Sequence, residues 1–401
     1  MLILEDVLLL IITTYAVSLG FGYLLQKHLR MPWMFSSLFL GLILSAIGSS
    51  KATIESDSFQ LLQTLGMYLL LFIIGYSIDF KKMAQLKKHV MLGTTIIISF
   101  EGFFGSLLLY FVFPTGVSNS YLIALITAVA FATVGEAVLL PILNEFKIIK
   151  TTFGQLTLGI GTLDDIVEVL MLASVAVLPG FIPISLAQTF PDPLIVLIDL
   201  SLLLILTLII AKFGSKVRDI LERNHLPSFT YSMLTLLVFF SFVALGNFVA
   251  ESLASVGAIF GGIALRQLLP KERLYQNEQA IEFLGYTFLS PFFFLSIGAS
   301  VSLTSIIVSP LMVSLIILVA NGSKYLSSVM LFRKLLGFKY SSLMGIGLGI
   351  RFSTSLVVQF ILLKSGLITL DLYSALIAAS IFVTPVIIIA YSWALSRGKP
   401  P

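Results

Sequence analysis

The sequence predicts an all-α integral membrane protein with about 13 transmembrane helices. Three observations predict this class: 58% of the 401 residues are hydrophobic, only 11% are charged, and the apolar residues fall in runs of about 20 or more. A soluble domain carries about 25% charged residues, whereas about 20 apolar residues suffice to cross a hydrocarbon core of roughly 30 Å. The composition therefore excludes a soluble globular enzyme.

Hydrophobic segments separated by short polar breaks define thirteen candidate spans. The separation is weakest near Glu251, where two spans almost touch. Every predicted loop is short, so no inserted or appended soluble domain is expected. In chain order the spans are 2–26, 32–48, 59–79, 90–113, 120–143, 153–179, 191–213, 228–250, 252–269, 280–301, 304–334, 340–364 and 369–396.

The lysines and arginines support this count. If the amino terminus is external, 20 of the 24 basic residues fall in predicted cytoplasmic loops. Lys51 and Lys364 fall in external loops, and Lys324 and Arg351 within spans. Because basic residues are enriched on the cytoplasmic side, this alternation predicts an external amino terminus and a cytoplasmic carboxyl terminus. The net charge of +4 is thus an orientation signal, and no nucleic-acid partner is predicted.

Several other classes of site are excluded by composition. The chain has no cysteine, and its three histidines lie in short basic loops. Neither disulfides, a structural transition metal nor a bound cofactor is therefore expected. The only Gly-Lys pair, Gly398-Lys399, is not part of a phosphate-binding loop, so no nucleotide site is predicted. The amino terminus opens with Glu5 and Asp6 and lacks the basic region of a cleaved signal peptide.

Two spans are interrupted in matching positions. The fifth is broken by residues 132–136 and Pro141, and the twelfth by the glycine-rich stretch 345–355. Because these spans are seven apart in the order, they cross the membrane in opposite senses, as the halves of an inverted repeat do. Glycine in membrane helices often serves only close packing. Two interruptions in register instead favour a transporter site near the bilayer midplane.

Six ionisable residues lie well within the predicted spans. Burying all six costs roughly 15–20 kcal/mol at about 3 kcal/mol each, which is hard to explain without a function. Four are acidic and two are basic, and this acidic surplus favours cations or protons over anions. The six residues are Glu136, Asp164, Asp165, Glu168, Lys324 and Arg351.

Asp164 and Asp165 are the candidate ligands for a metal cation. Adjacent residues on a helix point about 100° apart, so one can face a partner helix while the other faces a cavity. One of these aspartates is the expected partner of Lys324, which lies too deep to reach the interface. Glu168, one turn further on, either contributes to the site or makes an inter-helix hydrogen bond.

The remaining polar residues of the interruptions are secondary candidates. Arg351 is expected to offset the carbonyl end of a half-helix, which is a structural role. Glu136, Thr133 and Ser353 are candidate contributors to the ion site. Asp199 and Glu101 are expected to lie nearer the span ends, and a structural role is expected for both.

Two other classes with buried carboxylates fit less well. An intramembrane aspartyl protease draws its two carboxyls from facing helices so that they share one proton, which sequence neighbours cannot do. A channel usually shows a filter ring or a repeated pore loop. One asymmetric acidic site with a lysine favours an alternating-access transporter over an enzyme.

Several short stretches are each weak but together specific. They are Met31-Pro32 with Leu40-Gly41-Leu42, residues 65–75, residues 139–145, the Asp164-Asp165 helix, residues 256–262, and residues 291–294 with Gly298. With these, the chain resembles the cation:proton antiporter-2 family over nearly its whole length. The paired aspartates and Lys324 resemble its electrogenic sodium/proton branch. There the position of Asp165 is the essential ion carboxylate, and that of Asp164 pairs with the lysine.

The resemblance implies exchange of a monovalent cation (Na+, with Li+ or K+ as alternatives) for protons, in the service of pH homeostasis. A potassium/proton efflux antiporter or a cation channel of the same family is the alternative. It also implies the sodium/proton antiporter fold, with inverted repeats and two crossing broken helices, as a homodimer in the cytoplasmic (inner) membrane. An elevator-like core (90–179 and 304–396) would move against a scaffold (1–80 and 228–301), with 191–213 as the linker helix.

Two positions depart from the family pattern and bear on ion selectivity. Glu136 stands where the family often has a small hydroxyl residue, and Arg351-Phe352-Ser353 replaces a frequent Arg-Gly-Glu. Potassium-efflux relatives usually carry a cytoplasmic nucleotide-sensing domain, and no such domain is predicted from this sequence. Gating by nucleotides would therefore require a separate regulatory subunit. Neither the selectivity nor a two-proton stoichiometry follows from the residues, and neutral one-for-one exchange with a structural lysine stays open.

Overall fold

The computed structural model describes residues 2–29, 32–48, 50–77, 88–134, 151–177, 193–223, 227–247, 251–351 and 354–396, together with the single residues 139, 143 and 148. Each of the thirteen predicted spans contains a helix in this described part of the chain. Seven of these helices are long and apolar enough to cross a bilayer, and five shorter apolar helices accompany them. The protein is therefore a multi-pass membrane protein.

The main helices are numbered by span. They are α1 (Leu2–Leu24), α2 (Phe35–Ile47), α3 (Asp57–Ser77), α4 (Lys88–Val112), α5 (Tyr121–Phe131), α6 (Thr152–Val177), α7 (Pro193–Arg223), α8 (Ser228–Asn247), α9 (Glu251–Leu268), α10 (Ser290–Ala299), α11 (Pro310–Gly347), α12 (Thr354–Lys364) and α13 (Leu370–Ser396).

Two helical regions extend beyond the predicted boundaries. α7 continues past position 213 to Arg223. α10 is preceded by a π-helical turn over Phe283–Leu289, inside the predicted span, and by a helix over Lys271–Glu282, most of which was predicted as loop. Both extensions are rich in Lys, Arg, Glu and Gln, which favour helix without being apolar. Hydropathy locates the span but not the end of the helix, so these boundaries were predicted too short.

α11 crosses the predicted loop between the eleventh and twelfth spans. Gly337 has φ 76° and ψ 167°, which are not helical angles, so the residues before and after it form two helices at a kink. A side chain is disfavoured at this positive φ, and glycine adopts it without strain. The part of α11 after Gly337 is therefore the first half of the twelfth span.

Both predicted interruptions appear as helix ends. α5 stops at Phe131, and residues 132–134 are not helical. α11 stops at Gly347, and the chain is again not helical over residues 348–351, before α12 begins at Thr354. The two broken spans touch where Gln359 Nε2 of α12 donates to the Thr127 carbonyl of α5 at 3.4 Å.

The chain divides into two compact units. The first contains residues 1–8, 52–79 and 172–293, and within it α3, α8 and α9 pack together. A Cβ atom on Gly262 of α9 would collide with the Phe72 carbonyl of α3, so glycine permits this close approach. The second unit contains residues 9–51, 80–171 and 294–401, and includes both broken spans. The scaffold and core assignment made from the sequence stays a prediction.

Candidate functional site

Four charged side chains are buried together in the second unit. They are Glu101 on α4, Asp164 on α6, Lys324 on α11 and Arg351 in the interruption before α12, and each is at most 2% exposed. Among the residues whose exposure the structure describes, no other charged side chain is buried to this extent. Burial of this kind requires each charge to have partners, and the contacts below supply them.

Glu101 connects the two basic side chains. Its Oε1 accepts a hydrogen bond from Arg351 Nη2, and its Oε2 lies 3.4 Å from Lys324 Nζ. The position near a span end inferred from the sequence was wrong, because Glu101 lies in the middle of Lys88–Val112. The predicted bounds of the fourth span, 90–113, also put Glu101 near the middle, where burial in the bilayer is expected.

Lys324 joins the two interruptions. Its ammonium donates to the Leu348 carbonyl at 2.7 Å and to the Thr133 carbonyl at 3.4 Å. Carbonyls at the end of a helix have no partner within that helix, so they are available to a cation. Two hydrogen bonds to carbonyls and the ion pair with Glu101 therefore surround the buried ammonium.

Arg351 lies at the carboxyl end of α5, a half-helix of the other interrupted span. Its Nε donates to the Phe131 carbonyl at 2.8 Å, and the guanidinium lies 4.4 Å from the centre of the Phe131 ring. Its Nη1 donates to the Gly349 carbonyl at 3.0 Å and to Asn321 Oδ1 at 3.2 Å. Arg351 was expected to offset the carbonyl end of a half-helix. The carbonyl end that it contacts is that of α5, in the other interrupted span.

Asp164 faces the first interruption. It is fully buried, and its Oδ2 accepts a hydrogen bond from the Val134 backbone N–H. The expected Lys324–Asp164 ion pair is not formed in this conformation, since the carboxylate beside the ammonium is that of Glu101. Asp164 nevertheless lies near Lys324, because it binds the Val134 N–H while the ammonium binds the carbonyl of the neighbouring Thr133. The partner of a buried lysine depends on which helices pack around it, and the sequence does not show this.

The other predicted site residues are only partly described. Thr133 is buried, and its hydroxyl donates to the Ala130 carbonyl at 3.1 Å. Asp165 and Glu168 lie on α6, but their side chains are outside the described part of the structure. Glu136 and Ser353 lie outside the described residues altogether, as does Pro141. The roles of these five side chains stay predictions.

Two interrupted spans that meet around buried carboxylates and a lysine, within a multi-pass bundle of apolar helices, define a secondary transporter. The chain belongs to the family described as sodium/hydrogen exchanger, transmembrane, which matches residues 14–396. This confirms the membership in a monovalent cation:proton antiporter family that the sequence predicted, and it indicates a transporter rather than an enzyme.

Relatives and a solved structure match over most of the chain. The sodium/proton antiporter of Enterococcus hirae is 26% identical over 389 residues, with coverage of 93% of this chain and 94% of the relative. The sodium/proton–potassium antiporter GerN of Bacillus cereus is 24% identical over 370 residues, with 90% and 89% covered. The sodium proton antiporter MjNhaP1 from Methanocaldococcus jannaschii, solved at pH 8, superposes with a TM-score of 0.68 at 18% identity, over 97% and 98% of the two chains. This superposition confirms the predicted fold class.

Proposed function

We propose that the protein is a secondary active antiporter that exchanges a monovalent cation, Na+ first among them, for protons by alternating access. The observation that carries this proposal is the meeting of Asp164 and Lys324 with both interrupted spans in one buried cluster. The names of the similar proteins, which are sodium/proton and sodium/proton–potassium antiporters, support exchange of these two ions. No bound cofactor takes part, and the cation and the proton are the transported substrates.

The charges of the cluster support competition between a cation and a proton. Glu101 and Asp164 formally cancel Lys324 and Arg351. Asp165, the next residue on α6, then adds a carboxylate that a monovalent cation or a proton can neutralise. A buried uncompensated charge is costly. While the site is closed to water, the carboxylate pair is therefore more stable with either a cation or a proton bound than with neither. Competition for one site is sufficient for coupled exchange.

Exchange is tested with the purified protein in proteoliposomes that contain a pH-sensitive dye. Addition of Na+ is expected to move protons across the membrane, and Li+ and K+ are added in separate experiments to rank the cations. A potassium/proton antiporter would respond most strongly to K+, and a channel would pass the cation without moving protons. Protein that moves no protons with any of the three cations would refute the proposal.

The assembly and placement are also proposals. We infer a homodimer in the cytoplasmic membrane with an external amino terminus, whose core moves like an elevator against its scaffold. The distribution of 20 of 24 basic residues supports the orientation, and the family resemblance supports the dimer and the movement. The chain is expected to act without nucleotide or nucleic acid, so any nucleotide regulation would come from a separate subunit.

The exchange is expected to be electrogenic. Asp165 binds the cation or a first proton, and Asp164 takes up a second proton while Lys324 is paired with Glu101, so two protons exchange for one monovalent cation and each cycle moves one net charge. Membrane voltage then contributes about 2.3 kcal/mol per 100 mV for that charge. A sodium concentration jump on a solid-supported membrane should therefore produce a transient current. Robust proton exchange without current would instead establish neutral exchange.

A further inference from the structure

Glu101 completes the coordination of Lys324 without help from Asp164. The ammonium donates to the Leu348 carbonyl at 2.7 Å and to the Thr133 carbonyl at 3.4 Å, and it forms an ion pair with Glu101 Oε2 at 3.4 Å. Asp164 meanwhile accepts a hydrogen bond from Val134. Lys324 is therefore held in the core with its charge compensated while Asp164 is engaged elsewhere.

The Glu101 carboxylate is fixed in place from the other side. Its Oε1 is bound to Arg351, which is itself held by the Phe131 and Gly349 carbonyls at 2.8 and 3.0 Å. A planar guanidinium held at several N–H groups is rigid, whereas an ammonium on a four-carbon stem can change partner by rotating its side chain. In this cluster Glu101 and Arg351 form the static pair, and Lys324 is the movable group.

Lys324 thus lies between two carboxylates of different character. Glu101 is also paired with Arg351, whereas Asp164 belongs to the candidate ion site and binds the backbone of Val134, next to the Thr133 carbonyl that Lys324 binds. A cation or proton on the aspartate pair weakens the attraction of Lys324 to Asp164 and so favours the position beside Glu101. Linkage is reciprocal, so a lysine held at Glu101 must equally favour occupation of the aspartate pair.

We propose that Glu101 is a positioning residue for exchange, which holds Lys324 beside Arg351 and away from Asp164 whenever the aspartate pair binds its ion. On this basis Lys324 changes its partner during the cycle and keeps its charge. The inference rests on the proposed exchange function and adds to it a residue outside the paired aspartates.

The proposal is tested by the Na+ concentration that gives half-maximal proton exchange in proteoliposomes, at fixed pH. Glu101→Gln removes the alternative partner, so Lys324 competes with Na+ at Asp164 and the half-saturating concentration should rise about tenfold, the scale of coupling between residues of one buried network. The maximal rate should fall much less. The matched control is Asp57→Asn, which neutralises an exposed carboxylate in the first turn of α3 and should leave both quantities unchanged.

Arg351→Gln separates positioning from support of the fold. If Glu101 only neutralises Arg351, then Arg351→Gln and Glu101→Gln should change the half-saturating concentration alike. The proposal expects the larger rise for Glu101→Gln, because Arg351→Gln loosens the Glu101 carboxylate but leaves it beside Lys324. An equal rise in both variants, or wild-type half-saturation in Glu101→Gln, would overturn the proposal.

If Glu101→Gln does not fold, Glu101→Asp tests the proposal instead. This change keeps the charge beside Arg351 and withdraws the carboxylate from Lys324 by one methylene, so a rise of about threefold is expected. Wild-type half-saturation in Glu101→Asp would then overturn the proposal. Failure of the wild-type protein itself to exchange protons would refute the proposed function and the inference together, whereas active wild type with unaffected variants refutes the inference alone.

Discussion

Asp165→Asn is expected to abolish cation/proton exchange while leaving the protein folded. Asparagine matches aspartate in shape but can neither carry a negative charge nor take up a proton in the relevant pH range, and a carboxylate that binds protons and cations alternately must titrate. Proton movement in proteoliposomes should fall to the level of protein-free vesicles. Normal exchange by this variant would show that the essential carboxylate lies elsewhere.

Binding can be separated from turnover in the same variant. A ligand present at about 100 times its Kd stabilises the folded state by about 2.7 kcal/mol. Na+ should therefore raise the unfolding temperature of the wild-type protein in detergent and leave that of Asp165→Asn unchanged. Asp57→Asn again serves as the control, and its Na+-dependent stabilisation should match that of the wild type.

Lys324→Ala is expected to lower the free energy of unfolding by about 3–5 kcal/mol, since removal of one partner leaves buried carboxylate charge uncompensated. The loss should be measured by unfolding in detergent without added Na+. Two helix-end carbonyls, Thr133 and Leu348, lose their donor in the same variant, which adds to the destabilisation.

Double-mutant cycles identify the carboxylate that pairs with Lys324. Because the ammonium lies beside Glu101, the combination of Lys324→Ala with Glu101→Gln should cost less than the sum of the single changes by about 0.5–3 kcal/mol. Combination with Asp164→Asn, the pair expected from the sequence, should show a smaller departure from additivity. Additive losses for the Glu101 pair would contradict the contact seen in the structure.

The order of the helices and the two interruptions followed from the sequence alone. Bilayer thickness sets the length of an apolar span, so the spans can be read from local composition. The orientation inferred from the basic residues stays a proposal. The stretches 132–136 and 345–355 were recognised because glycine and proline mark helix breaks locally. Asp164 and Lys324 stood out because an ionisable residue in a span is rare whatever surrounds it.

The pairing of the charges was decided only by the tertiary structure. Glu101 and Arg351 are 250 residues apart, and no periodicity or motif relates α4 to the interruption before α12. The depth of Glu101 in its own span could have marked it as a site residue. Its pairing with Lys324 and Arg351 could not have been predicted from the sequence. A buried charge takes the partner that helix packing brings to the same depth, and here packing brings Lys324 to Glu101, leaving Asp164 to the backbone of the first interruption.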